Sequence, residues 1–176
     1  MPEEFPQNEP DFQAGNEQAD RDRSGQIGME LALAAAHEAA SRGEVPVGAV
    51  VLAPDGREIA RASNEVEARQ DPSAHAEILA MRAATAALGT RSLAGCTLVV
   101  TLEPCPMCAS AMVHFRLGKV IFGAYDPKGG GVDHGPRIFE QPACLHRPEV
   151  IGGVCEQENA RILRDFFITL RETRDS

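Results

Sequence analysis

The chain has no tryptophan and a single tyrosine among its 176 residues. It therefore lacks the aromatic platform on which a nonspecific single-strand binder stacks successive bases. Cationic residues are also in the minority, with 17 Lys and Arg against 26 Asp and Glu and a formal net charge of -9. Affinity for a polyanion comes largely from cations that displace its counterions, so a generic phosphate-coating surface is excluded. Much of the acidity is concentrated at one end, where Glu3, Glu4, Glu9, Asp11, Glu17, Asp20 and Asp22 face Arg21 and Arg23. The remainder is closer to neutral. Long apolar runs are missing as well: the longest, Val45 to Ala53, is far below the roughly 20 residues that span a bilayer, and the polar start has no export signal. A soluble cytoplasmic protein is expected. Cysteine is scarce and odd in number, five in all, with two in a Cys-x-x-Cys arrangement. In a reducing compartment that pattern reads as metal or redox chemistry before disulfide framework.

What is present suits one domain, since 43% hydrophobic content at this length is enough for a core without staples. Residues 1–23, with Pro2, Pro6 and Pro10 among polar and acidic neighbours, are expected to form a disordered acidic tail, and 24–176 the folded domain. Ser24 is a plausible cap for a helix over 25–42 that Gly43 stops. Val47 to Ala53, the turn Pro54-Asp55-Gly56 and Arg57 to Ser63 read as a hairpin. Asp71-Pro72-Ser73 announces a helix running to Ala87. Strands at Thr97–Leu102, Lys119–Ala124 and Val150–Val154 then alternate with helices at Cys105–Phe115 and Cys155–Leu170, as in a layered α/β domain. On the last helix Ile162, Leu163, Phe166, Phe167 and Leu170 form the apolar stripe. The glycines at 129–131 read as a flexible loop.

The chemistry is carried by His75, Cys105 and Cys108. A catalytic zinc site typically has three nitrogen or sulfur ligands and leaves a fourth position for water. Two cysteines three apart at a helix start fall on one side of a turn, where the helix dipole favours thiolates. Glu77, two residues beyond His75, is off the ligand face but within reach of the site, which suits a proton shuttle. The bland readings are a redox pair or structural half-site for the cysteines, a surface residue for Glu77, and packing roles for His37, His114, Cys96, Cys144 and Cys155. Glu103 reads as a structural hydrogen-bonding group near the metal loop.

His75-Ala76-Glu77 followed by Pro104-Cys105-Pro106-Met107-Cys108 resembles the signature of the cytidine deaminase superfamily. Glu44-Val45-Pro46-Val47-Gly48-Ala49-Val50, Asn64, Asp71-Pro72, Phe122-Gly123-Ala124 and Asp126-Pro127-Lys128 extend the similarity to the tRNA-specific adenosine deaminases over about residues 25–172. The resemblance implies a three-layer α/β/α fold with a five-stranded mixed sheet, one zinc per subunit and a homodimer. It also implies deamination of adenosine to inosine at the wobble position of a tRNA anticodon loop. By the same resemblance Asn64 hydrogen-bonds the target nucleoside, the Ala76 backbone meets the base, Asp126 lies by the flanking nucleotides and Phe167 meets the anticodon loop. The segment Gly129 to Phe139 departs from the small-residue loop and Gly-Ser-Leu of many members, which bears on RNA contacts and not on the zinc chemistry. Deamination of a free base or nucleoside such as guanine or cytosine therefore stays open, favoured by the acidic balance. A noncatalytic zinc-stabilised binding module is a third class, against which the intact Glu77 speaks.

Overall fold

Val50, Val51, Val99, Val100, Ile121 and Phe122 place buried apolar side chains on both faces of the sheet's middle, which therefore needs a helical layer on each side. The protein, seen as a computed structural model, is described over residues 12–174. Its sheet comprises β1 (Gly48–Leu52), β2 (Glu58–Ser63), β3 (Thr97–Leu102), β4 (Lys119–Ala124) and β5 (Glu149–Ile151) in the order β2-β1-β3-β4-β5. β1 is antiparallel to β2 and β3, whereas β3–β4 and β4–β5 are parallel. The five-stranded mixed sheet of the sequence reading is therefore present.

Alternation along the strands divides the interior in two. Val50, Leu52, Val99 and Ile121 pack with Met29, Ala32 and Leu33 of helix α1 (Phe12–Ser41). Ala49, Val51, Leu98, Val100 and Phe122 face the other way, against α3 (Ala76–Leu88) and α4 (Pro106–His114). The first layer sits unusually close. A Cβ at Gly48 would collide with the Ala32 carbonyl and lie 2.6 Å from the Ala36 nitrogen, so this strand start admits only glycine beside the alanine face of α1. The β1–β2 turn is made as expected: Asp55 accepts the Arg57 N–H at 3.0 Å and Gly56 takes a positive φ of 83°.

Several boundaries differ from the sequence reading. Helix α1 begins at Phe12, ahead of the expected start at residue 25, because Gln13 to Arg23 is rich in good helix formers. Residues 1–11 of the expected tail lie outside the described residues. A four-residue helix α2 (Val66–Arg69) and a 3-10 turn at Ile138–Glu140 were not foreseen. Both are too short to carry a periodic signal. β5 covers Glu149–Ile151 and stops before Gly152, where a Cβ would meet the Phe122 ring.

The last helix, α5 (Glu156–Arg174), does not bury the whole stripe assigned to it. Phe166 is half-buried, and Phe167, Ile168 and Leu170 are exposed. The helix packs on β4 near its start, where Asn159 lies against Gly123. Among the described residues no helix is long and apolar enough to cross a membrane.

Candidate active site

At the carboxyl ends of β3 and β4 the parallel strands stop and two helices begin, the usual place for a crevice in an α/β sheet. Asp71 accepts both the N–H (2.8 Å) and the hydroxyl (2.7 Å) of Ser73. This tight turn across Pro72 delivers His75 to the cap position of α3, with extended backbone at φ -71° and ψ 147°. Cys105 occupies the equivalent position before α4, where Pro106 opens the helix. Neither residue caps its helix with its side chain, a task usually given to Ser, Thr or Asp. Both side chains turn instead to a common point, which Cys108 reaches from the first turn of α4.

His75 Nδ1 lies 3.6 Å from Cys105 Sγ and 3.5 Å from Cys108 Sγ, and the three donor atoms lie within 4.8 Å of one another. With Zn–N of roughly 2.0 Å and Zn–S of roughly 2.3 Å, a tetrahedral angle puts nitrogen and sulfur about 3.5 Å apart. The donor set thus fits zinc in both chemistry and spacing. No other group of His, Cys, Asp or Glu among the described residues is close enough to hold an ion. In particular, Cys144 donates to the His146 carbonyl at 3.0 Å, and His146 Nε2 is engaged with the Leu117 carbonyl at 2.6 Å. That pair is structural.

The thiols are already prepared for a cation. A hydrogen bond from Cys108, helped by His75 against the opposing effect of burial, lowers Cys105 to about 4. Cys108 is pushed up because it donates that bond and is buried. The hydrogen bond with Cys105 also raises His75. Cys105 therefore favours the thiolate, the form that binds a cation, and Cys108 the thiol. Glu77 is 4% exposed. Its burial pushes the carboxyl up, toward the range in which it can both take and return a proton.

His75, Glu77 and Cys105 open into a cleft of about 610 Å³, whose walls also include Asn64, Asp126 and Phe167. Six of the eight residues singled out in the sequence thus border one space. Cys108 lies just behind it, fully buried. Ala76 is also fully buried, with its methyl in the core and not in the cleft. Its N–H lies in the first turn of α3, where helical amides have no intrahelical partner.

Two buried carboxylates at this cleft were missed or undervalued. Glu44, 1% exposed, accepts the side-chain amide of Asn64 and the N–H groups of Glu67 and Ala68. Glu103, 2% exposed, gathers the loop after β4. An acidic residue beside an apolar strand is the available sequence signal for Glu44. Two of its three partners, Glu67 and Ala68, belong to the unforeseen α2, so that signal could not say what it binds.

Fold and site together define a zinc-binding hydrolase of the α/β/α type, with one buried carboxylate beside the metal ligands. Residues 23–124 match the cytidine and deoxycytidylate deaminase zinc-binding region, and the chain belongs to that family. It is 52% identical over 139 residues to the tRNA-specific adenosine deaminase of Agrobacterium fabrum, covering 79% of this chain and 91% of that protein. It is 47% identical over 146 residues to the tRNA-specific adenosine deaminase of Bacillus subtilis, covering 83% and 90%. A solved structure from studies of A-to-I editing by tRNA:A34 deaminases superposes with a TM-score of 0.76 at 50% identity, over 78% of this chain and 99% of that one.

Proposed function

We propose that this chain hydrolyses the wobble adenosine of a tRNA anticodon to inosine. The observation that carries the reading is a buried Glu77 beside a three-ligand zinc set, both opening into a cleft bordered by Asn64, Asp126 and Phe167. Relatives about half identical in sequence and named for this reaction support the substrate. An anticodon loop offers unstacked bases, so recognition rests on shape and a few polar contacts and needs no strongly basic surface.

His75, Cys105 and Cys108 would hold the zinc, which when bound would supply the Lewis acidity that makes a water nucleophilic near neutral pH. Glu77 takes a proton from the attacking water and gives one to the ring nitrogen. It then takes the second proton from the hydroxyl now on the ring carbon and passes it to the departing amine, so that the carbonyl forms as the C–N bond breaks and ammonia leaves. Asn64 holds the nucleoside through its side-chain amide, and the free N–H at Ala76 meets the base. Asp126 lies by the flanking nucleotides, and the exposed ring of Phe167 offers a stacking surface to the loop.

The deaminase unit runs from residue 24 to 176, with the acidic segment 1–23 ahead of it. A homodimer is supported by Leu145, 95% exposed, and Met107, 39% exposed. Met107 shares its face of α4 with Ser110, three residues on, and Ser110 and Leu145 border one surface hollow. Five unpaired cysteines and a thiolate metal site support a cytoplasmic setting.

The test is to incubate the zinc-loaded protein with an anticodon stem-loop and, separately, with free bases and nucleosides. Inosine formed in the RNA is the expected result. Ammonia from guanine or cytosine, with the RNA inert, would reassign the protein to deamination of free bases.

A further inference from the structure

The glycine loop at 129–131, read from sequence as flexible, is seated tightly on the active-site turn. A Cβ at Gly131 would lie 2.6 Å from the Pro106 nitrogen, and one at Gly130 would strike the Glu103 carboxylate. Gly131 donates to the Pro104 carbonyl at 2.8 Å, and Gly130 to the Asp126 carbonyl at 2.9 Å. The organising group is Glu103. Its Oε1 accepts the N–H groups of Val132 (3.3 Å), Asp133 (2.9 Å) and His134 (2.9 Å). Its Oε2 accepts the Asp126 N–H at 3.0 Å and faces His134 Nδ1 at 2.7 Å. A carboxylate only accepts, so Nδ1 carries the proton in this contact.

We infer that Glu103 and His134 are positioning residues for substrate, which latch the 126–134 loop so that Asp126 and Gly129 form a preformed wall of the cleft. Asp126 and Gly129 border the cleft directly, and His134 does not. His134 therefore acts through Glu103. Asp126 is held from two sides: its N–H by Glu103, and its Oδ1 by the N–H groups of Lys128 (3.1 Å) and Gly129 (2.9 Å). Its carboxylate consequently enters the cleft already aimed, and binding does not have to order it. The four other donors to Glu103 are backbone groups, which leaves His134 as the side chain whose identity decides whether the latch closes. Its ring edge also rests on Tyr125, centroids 5.9 Å apart, and Tyr125 on Phe122 at 5.2 Å. The latch is thereby tied to the sheet.

This inference deepens the tRNA reading and rests on it for the identity of the substrate, but the loop itself can be read without any substrate. The experiment compares His134→Ala, His134→Phe and His134→Asn in the zinc-loaded full chain, with an anticodon stem-loop as substrate. Alanine removes the donor, phenylalanine removes it while keeping a ring on Tyr125, and asparagine places an amide nitrogen where Nδ1 stood. KM should rise about 10-fold for the first two, corresponding to the loss of one hydrogen bond to a charged acceptor, with kcat changed less than about twofold. Asparagine should restore KM to within about twofold of the parent. Hydrogen exchange of the 129–134 amides should quicken in the alanine and phenylalanine variants and remain slow with asparagine.

Parental KM and parental exchange in both donorless variants would overturn the latch. So would a fall in kcat at constant KM, or an asparagine variant as impaired as alanine. Should alanine fail to accumulate as folded protein, phenylalanine against asparagine decides the matter. If the parent chain leaves the stem-loop untouched, the substrate reading fails by itself, and the exchange comparison still decides whether His134 holds the loop.

Discussion

The Glu44 carboxylate accepts the Asn64 side-chain amide at 3.3 Å beneath the floor of the cleft, and the same carboxylate receives the Glu67 and Ala68 N–H groups at 3.1 and 2.7 Å. One buried acid therefore closes the start of α2 and fixes which end of the Asn64 amide is turned down. The rest of the Asn64 amide borders the cleft.

Glu44→Gln replaces one acceptor by an NH2 group that must meet a backbone N–H. It should lower unfolding free energy by about 1–3 kcal/mol, measured by urea denaturation. It should also raise KM more than it lowers kcat, because Asn64 loses its set orientation. Unchanged KM with the expected loss of stability would leave Glu44 as a helix cap alone.

Glu77→Gln keeps the size of the side chain and removes its basicity. Zinc content and thermal midpoint should stay near those of the parent, while turnover falls by roughly 10²- to 10⁴-fold. A zinc-loaded variant with near-parental turnover would take Glu77 out of the proton transfers.

Zinc binding should be coupled to proton release, since ligands bind deprotonated. Cys105, lowered to about 4, is already a thiolate at neutral pH, whereas Cys108 is pushed up and must give up its proton to bind. Loading zinc near pH 7 should therefore expel about one proton, from Cys108, and affinity should weaken as pH falls. Calorimetry in buffers of different ionisation enthalpy measures this number. A chelator should abolish activity, and added zinc should restore it.

Burial by itself would raise Glu103, yet hydrogen bonds from Asp126, His134 and Asp133 outweigh it and hold the carboxyl below its ordinary value of 4.5. A folded value depressed below the unfolded one contributes stability that is complete above the unfolded value. That contribution is lost as pH falls through the folded value. Urea midpoints should accordingly decline below about pH 4.5, with a shallower decline in Glu103→Gln. Parallel acid limbs for the two proteins would contradict this.

Legibility from sequence followed the range of each interaction. β3 and β4 end where the apolar runs end, and the His75, Glu77, Cys105 and Cys108 motif converges as its spacing implies, because caps and turns a few residues long set those positions. In the second half of α5 helical periodicity shows that a stripe exists without showing what faces it. Phe167 is apolar by pattern and borders the cleft by position.

The sequence by itself determined the zinc donor set, the acid beside it and the layered α/β order, since each depends on residue type at short separation or on simple alternation. Tertiary structure alone decided that Glu44 would hold Asn64 and that Glu103 would gather a loop reaching to His134, 31 residues away in the chain. A buried carboxylate must find donors wherever the fold brings them, and no local pattern records which distant N–H groups those are.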